Sequence, residues 1–166
     1  TNGIQWINIP VTVKGHMKGT IATTEISKAG GNVKWRKKYL RTIEQSYKKY
    51  PFYSEVYPII EEAISMDTNY FCEINIALIK NFCKKLSIYP EYIRSSDLDV
   101  DGLKSTLILD ICKAIQADTY LAGPSGRDYL DIESFEKEKI SVKFNDYTHP
   151  IYPQKGTREF VDHLSA

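Results

Sequence analysis

An arginine set among small residues is well suited to holding an anion, and the stretch AGPSGRDYLD, Ala122 to Asp131, carries such an arginine. Gly123 and Gly126 allow close backbone approach, and exposed N–H groups at the start of a following helix favour negative charge. Arg127 adds a planar fork that matches phosphate or carboxylate. Ser125 and Tyr129 bring hydroxyls to the same loop, and Asp128 brings a carboxylate able to position or deprotonate an acceptor. The same residues also fit a plain turn at Pro124-Ser125-Gly126 followed by an ion-paired surface arginine. The spacing matches neither a Walker loop nor a dinucleotide fingerprint, so it names no particular nucleotide.

Two further loops carry chemistry-bearing residues. In SSDLDVDG, Ser95 to Gly102, the residues Ser95, Ser96 and Asp97 suit sugar hydroxyls or a metal-bound phosphate, and they equally suit the capping of a turn or helix. In NDYTHPIYPQKG, Asn145 to Gly156, His149 offers a general base, with Tyr152 and Gln154 as hydrogen-bonding groups. A histidine beside a proline also has a purely structural use. Arg36 is a misfit of a different kind. On a helical wheel Trp35, Tyr39, Leu40, Ile43, Tyr47 and Tyr50 fill one arc, Lys34, Lys37, Lys38, Arg41, Lys48 and Lys49 fill the opposite one, and Arg36 falls inside the apolar arc. An unpaired guanidinium there is costly, so Arg36 must snorkel, meet a carboxylate or face a ligand pocket. The cationic arc is read as a solvated face, with an anionic partner as the alternative. Asn75, inside the apolar arc of a later helix, is read as a buried structural amide.

The elements that must position these groups follow from periodicity. GIQWINIPVTV, Gly3 to Val13, alternates like a strand, and the glycine-rich Lys14 to Gly31 reads as a loop with one short β segment near Thr20 to Ile26. Helices are expected at Val33 to Tyr50, Tyr53 to Ser65 and Asn69 to Leu86, with Pro51 ending the first and Asp67 or Thr68 capping the third. The remainder reads as strand (Tyr92 to Ser95), helix (Leu103 to Gln116), strand (Thr119 to Ala122), short helix (Asp131 to Lys137) and strand (Ile140 to Phe144). Such alternation predicts an α/β fold, with a helical N-terminal half packed on a Rossmann-like parallel sheet in the C-terminal half. The three loops would then emerge together at the carboxyl edge, where ligands of α/β sheets bind.

Composition narrows the function classes. A chain of 166 residues with 42% hydrophobic content can bury a core and is read as one domain, residues 1–166. Lys+Arg 22 against Asp+Glu 21 gives a net charge of +1, too small for a whole-molecule field that gathers nucleic acid, so no specific nucleic-acid binding is expected. Cys72, Cys83 and Cys112 form no CxxC pair and fall at helical positions, as structural thiols of a reduced compartment do, and no metal site is expected. The sequence holds no apolar run long enough to span a bilayer and no secretory signal pattern, so a cytoplasmic protein is expected. No cofactor follows from the residues.

The runs KWRKKYLRTIEQSYKKYPFYSEVYPIIEE (Lys34 to Glu62), SSDL (Ser95 to Leu98), ILDICKAIQADTYLAGPSGRDYLD (Ile108 to Asp131) and IYPQ (Ile151 to Gln154) together resemble the WbqC-like family of bacterial proteins. The order and spacing agree along most of the chain. The resemblance implies a role in O-antigen or other surface-polysaccharide biosynthesis, with glycine or aminoacyl transfer to a sugar as the proposed activity. It also implies a further segment before Asn2 and another helix beyond Ala166. The expected partners are a nucleotide-linked sugar or glycan precursor and an activated amino acid. Arg36, Arg127 and the Gly123 to Gly126 backbone would hold an anionic group, and Asp97, Asp128 or His149 would serve the acceptor. Two alternatives stand beside this transferase: a non-catalytic binding or assembly protein of a polysaccharide pathway, and an adenylate-forming or nucleotidyl-transferring enzyme, the latter on fold analogy alone.

Overall fold

The computed structural model describes residues 6–12, 19–28, 32–154 and 159–162. Segments 1–5, 13–18, 29–31, 155–158 and 163–166, which include parts of the expected first strand and of the glycine-rich loop, lie outside the described residues. The described chain runs through α1 (Asn32–Tyr47), α2 (Tyr53–Ser65), α3 (Phe71–Lys85), α4 (Ser105–Ala114), β1 (Thr119–Ala122), α5 (Ile132–Lys137) and β2 (Ser141–Phe144). Short 3-10 turns stand at Ile21–Thr23, Ser95–Asp97 and Pro124–Asp128. The class is mixed α/β, with helices in the N-terminal half and a two-stranded parallel sheet in the C-terminal part.

The chain forms two compact units, Asn2–Glu91 and Tyr92–Ala166. In the first, α1, α2 and α3 turn their apolar stripes inward around Ile26, Ile64 and Ile74, with Trp35, Tyr39, Leu40, Ile60, Phe71 and Leu78 packed on them. The wheel misfit, Arg36, has a structural task here. Its Nε donates to the Ile64 carbonyl at 2.7 Å, and its Nη2 donates to the carbonyls of Met66 at 3.0 Å and Thr68 at 3.2 Å. The last carbonyls of a helix lack partners within it and sit at the negative end of its dipole, so a cation at the end of α2 satisfies both needs. Burial pulls the Arg36 pKa below its ordinary value, and Asp67 nearby pushes it back up. The guanidinium carbon also lies 4.6 Å from the centre of the Trp35 ring.

Three expectations in this unit need correction. Within 6–12 the expected first strand is reduced to a single antiparallel bridge, Val11 to Ile26, because Glu25 and Ile26 divide their pairing between Val11 and Tyr70. The third helix begins at Phe71 with Tyr70 as N-cap, and the Thr68 hydroxyl accepts from the Tyr70 N–H at 3.1 Å instead of capping the helix itself. Asn75 is half-buried, not buried.

The second unit is built on β1 and β2, which pair in parallel with Thr119 opposite Ser141 and Ala122 opposite Phe144. Leu109, Cys112, Phe135 and Ile140 form its core, with Tyr120 stacked on Phe135 at 5.9 Å. Burial raises the Cys112 thiol pKa, as suits a packing residue. Tyr92 to Ser95, expected as a third neighbouring strand, is not one. Tyr92 and Ile93 are exposed, and the segment runs straight into the Ser95–Asp97 turn, too short and too uncovered to join a parallel sheet. Of the Rossmann-like layout, the parallel pair is what the described residues contain.

Helix α5 is only six residues long and owes its start to Asp131, whose carboxylate accepts from the Ser134 hydroxyl at 2.5 Å and the Ser134 N–H at 3.3 Å. These two bonds, chiefly the hydroxyl, hold the carboxyl below its ordinary pKa, with Lys137 adding a smaller pull. A depressed carboxylate contributes stability that is complete above the unfolded-state value near about 4 and is lost as pH falls through the lower folded value. Asp131→Asn keeps a competent N-cap without the charge. Paired urea melts should therefore show a stability gap between wild type and Asp131→Asn at neutral pH that closes as the pH falls below about 4. A gap of constant size across that range would remove the carboxylate's role.

Candidate functional site

Parallel pairing of β1 and β2 sends the loops that follow them to the same edge, and the ladder continues one residue further through Asn145 N–H to the Ala122 carbonyl at 2.8 Å. The loop after β1 is the Pro124–Asp128 turn, closed by Gly126 N–H to the Gly123 carbonyl at 2.9 Å. Arg127 leaves this turn toward the loop after β2. Its Nη2 lies 2.9 Å from one Asp146 oxygen and 3.0 Å from the other, and its guanidinium carbon lies 4.3 Å from the centre of the Phe144 ring. Arg127 remains 46% exposed and Asp146 71% exposed, so the pair stands at the surface. Among the described residues no hydrogen bond engages its Nε or Nη1, which leaves those nitrogens of the planar fork available to a ligand.

The two glycines differ in what they do. Gly123 has an ordinary φ of −68°, and a Cβ there would meet nothing within 4 Å. Gly126 is buried, and its Cβ would lie 2.9 Å from Ala122 Cβ, 3.1 Å from Leu130 Cδ1 and 3.3 Å from Phe144 Cε1. Its smallness therefore serves the packing of the turn against the sheet, and not open backbone for a ligand as the sequence suggested. Gly126→Val should cost about 1–3 kcal/mol in urea unfolding through overpacking, while Gly123→Ala should stay within about 0.5 kcal/mol. Equal effects of the two changes would contradict this division.

In the loop after β2, His149 Nδ1 is 2.9 Å from the Pro150 carbonyl oxygen, and its ring is packed by Tyr147, Tyr152 and Phe160 at centroid distances of 5.8, 5.8 and 5.6 Å. Gln154 uses both ends of its amide on Val161: Nε2 donates to the Val161 carbonyl at 2.6 Å, and Oε1 accepts the Val161 N–H at 2.8 Å. Ser125, Asp128 and Tyr129 lie exposed along the turn after β1. Ser95, Ser96 and Asp97 form the separate exposed turn, where Ser96 Oγ donates to Asp97 Oδ1 at 3.2 Å.

The sequence-predicted groups thus fall into three sets within the second unit: Arg127 with its turn, the aromatic cage of His149 and Tyr152, and the Ser95 to Asp97 turn. Arg36 belongs to the first unit. Sequence reasoning passed over Asp146 and Phe144 as the partners of Arg127, and Tyr147 and Phe160 as the walls around His149. Asp146 had a signal: it lies two residues past the end of a strand predicted to run parallel to β1. Phe160, across residues 155–158 from Gln154, had none.

The WbqC-like protein family model matches residues 1–166, the whole chain. The chain belongs to the WbqC-like protein family. A relative, the uncharacterized protein Rv1507c of Mycobacterium tuberculosis, is 30% identical over 151 residues, which cover 89% of this chain and 62% of that protein. The WbqC-like chain thus spans less than two thirds of that relative's length. No solved structure matches it significantly. Among the described residues, no helix is long and apolar enough to cross a membrane.

Proposed function

We propose that this WbqC-like protein is a cytoplasmic transferase of bacterial surface-polysaccharide biosynthesis, acting on a nucleotide-linked sugar or similar glycan precursor, with glycine or aminoacyl transfer to the sugar as its reaction. Family membership suggests the connection with polysaccharide biosynthesis. The observation that carries the reading to a site is Arg127, a half-exposed guanidinium at the carboxyl end of a parallel strand, with Nη2 held by Asp146 and Nε and Nη1 not engaged. A planar fork tethered on one side is pre-set to receive a phosphate or carboxylate on the other.

In this reading Arg127, Ser125, Tyr129 and the backbone at Gly123 hold the anionic group, with Tyr152, Gln154, Ser95 and Ser96 as further contacts. The acceptor amine or hydroxyl attacks the activated carbonyl of the amino acid and loses its proton to Asp97, Asp128 or His149, and the activating group departs with the bonding electrons. Thermal-shift screening with nucleotide sugars, ATP and free amino acids tests the assignment. A selective upward shift with a nucleotide sugar is expected. A shift with ATP alone would move the protein to the adenylate-forming class, and a flat response across the panel would leave it as a binding or assembly protein.

A further inference from the structure

The exposed residues of α1 carry a feature the transferase reading does not use. Lys34, Lys37, Lys38 and Arg41, with Lys48 in the turn that continues the helix through its N–H to the Glu44 carbonyl, are all exposed, and their spacing of three, four, seven and fourteen residues puts them on one face. With Lys49 they make a cationic stripe about 21 Å long, taking 1.5 Å per residue. Gln45 fills the remaining position of that face, and the acidic residue of α1, Glu44, sits half-buried at its edge, one turn before Lys48. The stripe is part of a wider asymmetry. Asn2–Glu91 holds 13 Lys and Arg against 8 Asp and Glu, a net of +5, whereas Tyr92–Ala166 holds 9 against 13, a net of −4. A chain that is near neutral as a whole thus carries one positive unit with its charge gathered on one helix.

At the end of the stripe the chain turns from α1 into α2 through Lys48, Lys49, Tyr50, Pro51 and Phe52, and the Phe52 ring at this turn is 69% exposed. A large aromatic left in water beside two lysines is what a bilayer interface accommodates, with the ring at headgroup depth and the ammonium groups against anionic lipid. We infer that the cationic face of α1, with Phe52 at its end, is a contact surface for an anionic lipid bilayer. The apolar arc of α1 is committed to the core, so the helix lies on the surface through its charged side and only the turn enters.

Single-stranded nucleic acid fits less well. Five of the six cations are lysines, which give point charge and not the planar fork that grips phosphate. Stacking of bases needs successive open rings. Here Tyr47 faces Tyr50 at 5.8 Å and Tyr53 faces Tyr57 at 4.9 Å, so those rings are occupied by one another and Phe52 projects alone.

Vesicle flotation of the full chain tests this at low ionic strength. The protein is expected to float with phosphatidylcholine vesicles containing phosphatidylglycerol, to stay behind with pure phosphatidylcholine, and to be released by salt. Lys37→Glu/Lys38→Glu should lower partitioning at least about 25-fold, given roughly fivefold per basic residue at such a surface. Lys139→Glu/Lys143→Glu, which changes the net charge equally but in the second unit, should retain it. Phe52→Ala should weaken binding severalfold, and in Phe52→Trp the added emission should shift to the blue on vesicle addition. These substitutions are at exposed positions, and circular dichroism verifies that each variant is folded. Failure to float with phosphatidylglycerol, equal loss in both double variants, or no emission shift would overturn the proposal. So would binding of a single-stranded oligonucleotide that the stripe variant abolishes while flotation is unchanged.

Discussion

Arg36→Leu is expected to lower the unfolding free energy by about 2–4 kcal/mol, read from urea melts, because it removes charge-assisted bonds and strands half-buried carbonyls. Leucine matches the apolar arc of α1 but gives up the cation–π contact with Trp35, a smaller part of the loss. The larger part comes from Ile64, Met66 and Thr68, whose carbonyls face the guanidinium at 2.7, 3.0 and 3.2 Å. The Ile64 carbonyl lies in the last turn of α2, so the variant should also fray that end of the helix. Arg36→Lys should recover only part, since one ammonium cannot reproduce the fork across three acceptors. A change within about 0.5 kcal/mol would mean that water replaces the arginine without penalty. For a domain expected to be stable by about 5–15 kcal/mol, the predicted loss is a sizeable share.

The second large effect concerns binding. Arg127→Ala is expected to weaken the anionic ligand identified by thermal shift by about 1.5–3 kcal/mol, the range for a hydrogen bond to a charged group. The fold should be untouched, because an exposed ion pair such as Arg127 with Asp146 contributes about 0–1 kcal/mol. Asp146→Asn separates tethering from charge. It leaves the guanidinium in place without its carboxylate, so affinity should fall less than in Arg127→Ala if the carboxylate only orients the fork. It should rise if the carboxylate competes with the ligand for the same donors. Isothermal titration of the two variants distinguishes these cases, and wild-type affinity in Arg127→Ala would reduce the turn to an ordinary surface loop.

How far the sequence could be read depended on what each residue needed from distant parts of the chain. Thr119–Ala122 emerged as a strand with the bounds expected of it, and Ser141–Phe144 within one residue, because β-branched and aromatic residues stand there between clear turn signals. Tyr92 to Ser95 has a similar local pattern and forms no strand, since strand formation requires a neighbour and cover on both faces, neither of which is encoded locally. Arg36 was visible as a misfit on the wheel. Its partners were not, because main-chain carbonyls at a helix end carry no side-chain signature. Gly126 was noticed for the freedom of its backbone, while its actual constraint is three side-chain atoms brought from Ala122, Leu130 and Phe144. The packing of the His149 ring against Phe160 joins two segments that nothing in their spacing relates.

The register of the parallel pair bears on how the second unit comes to be folded. Thr119 meets Ser141 and Ala122 meets Phe144, so each paired residue finds its partner 22 positions along the chain. Parallel strands are slow to assemble when the crossover is long, since the entropy of closing the connection is lost before any ladder bond forms. Here the crossover is short and already partly ordered by the Pro124–Asp128 turn and the Asp131 cap, so the closing step has few free dihedrals to restrict. The sheet, the turn bearing Arg127 and helix α5 are therefore expected to fold as one module. The geometry around Arg127 would be set early in folding and would reopen only when the whole module does.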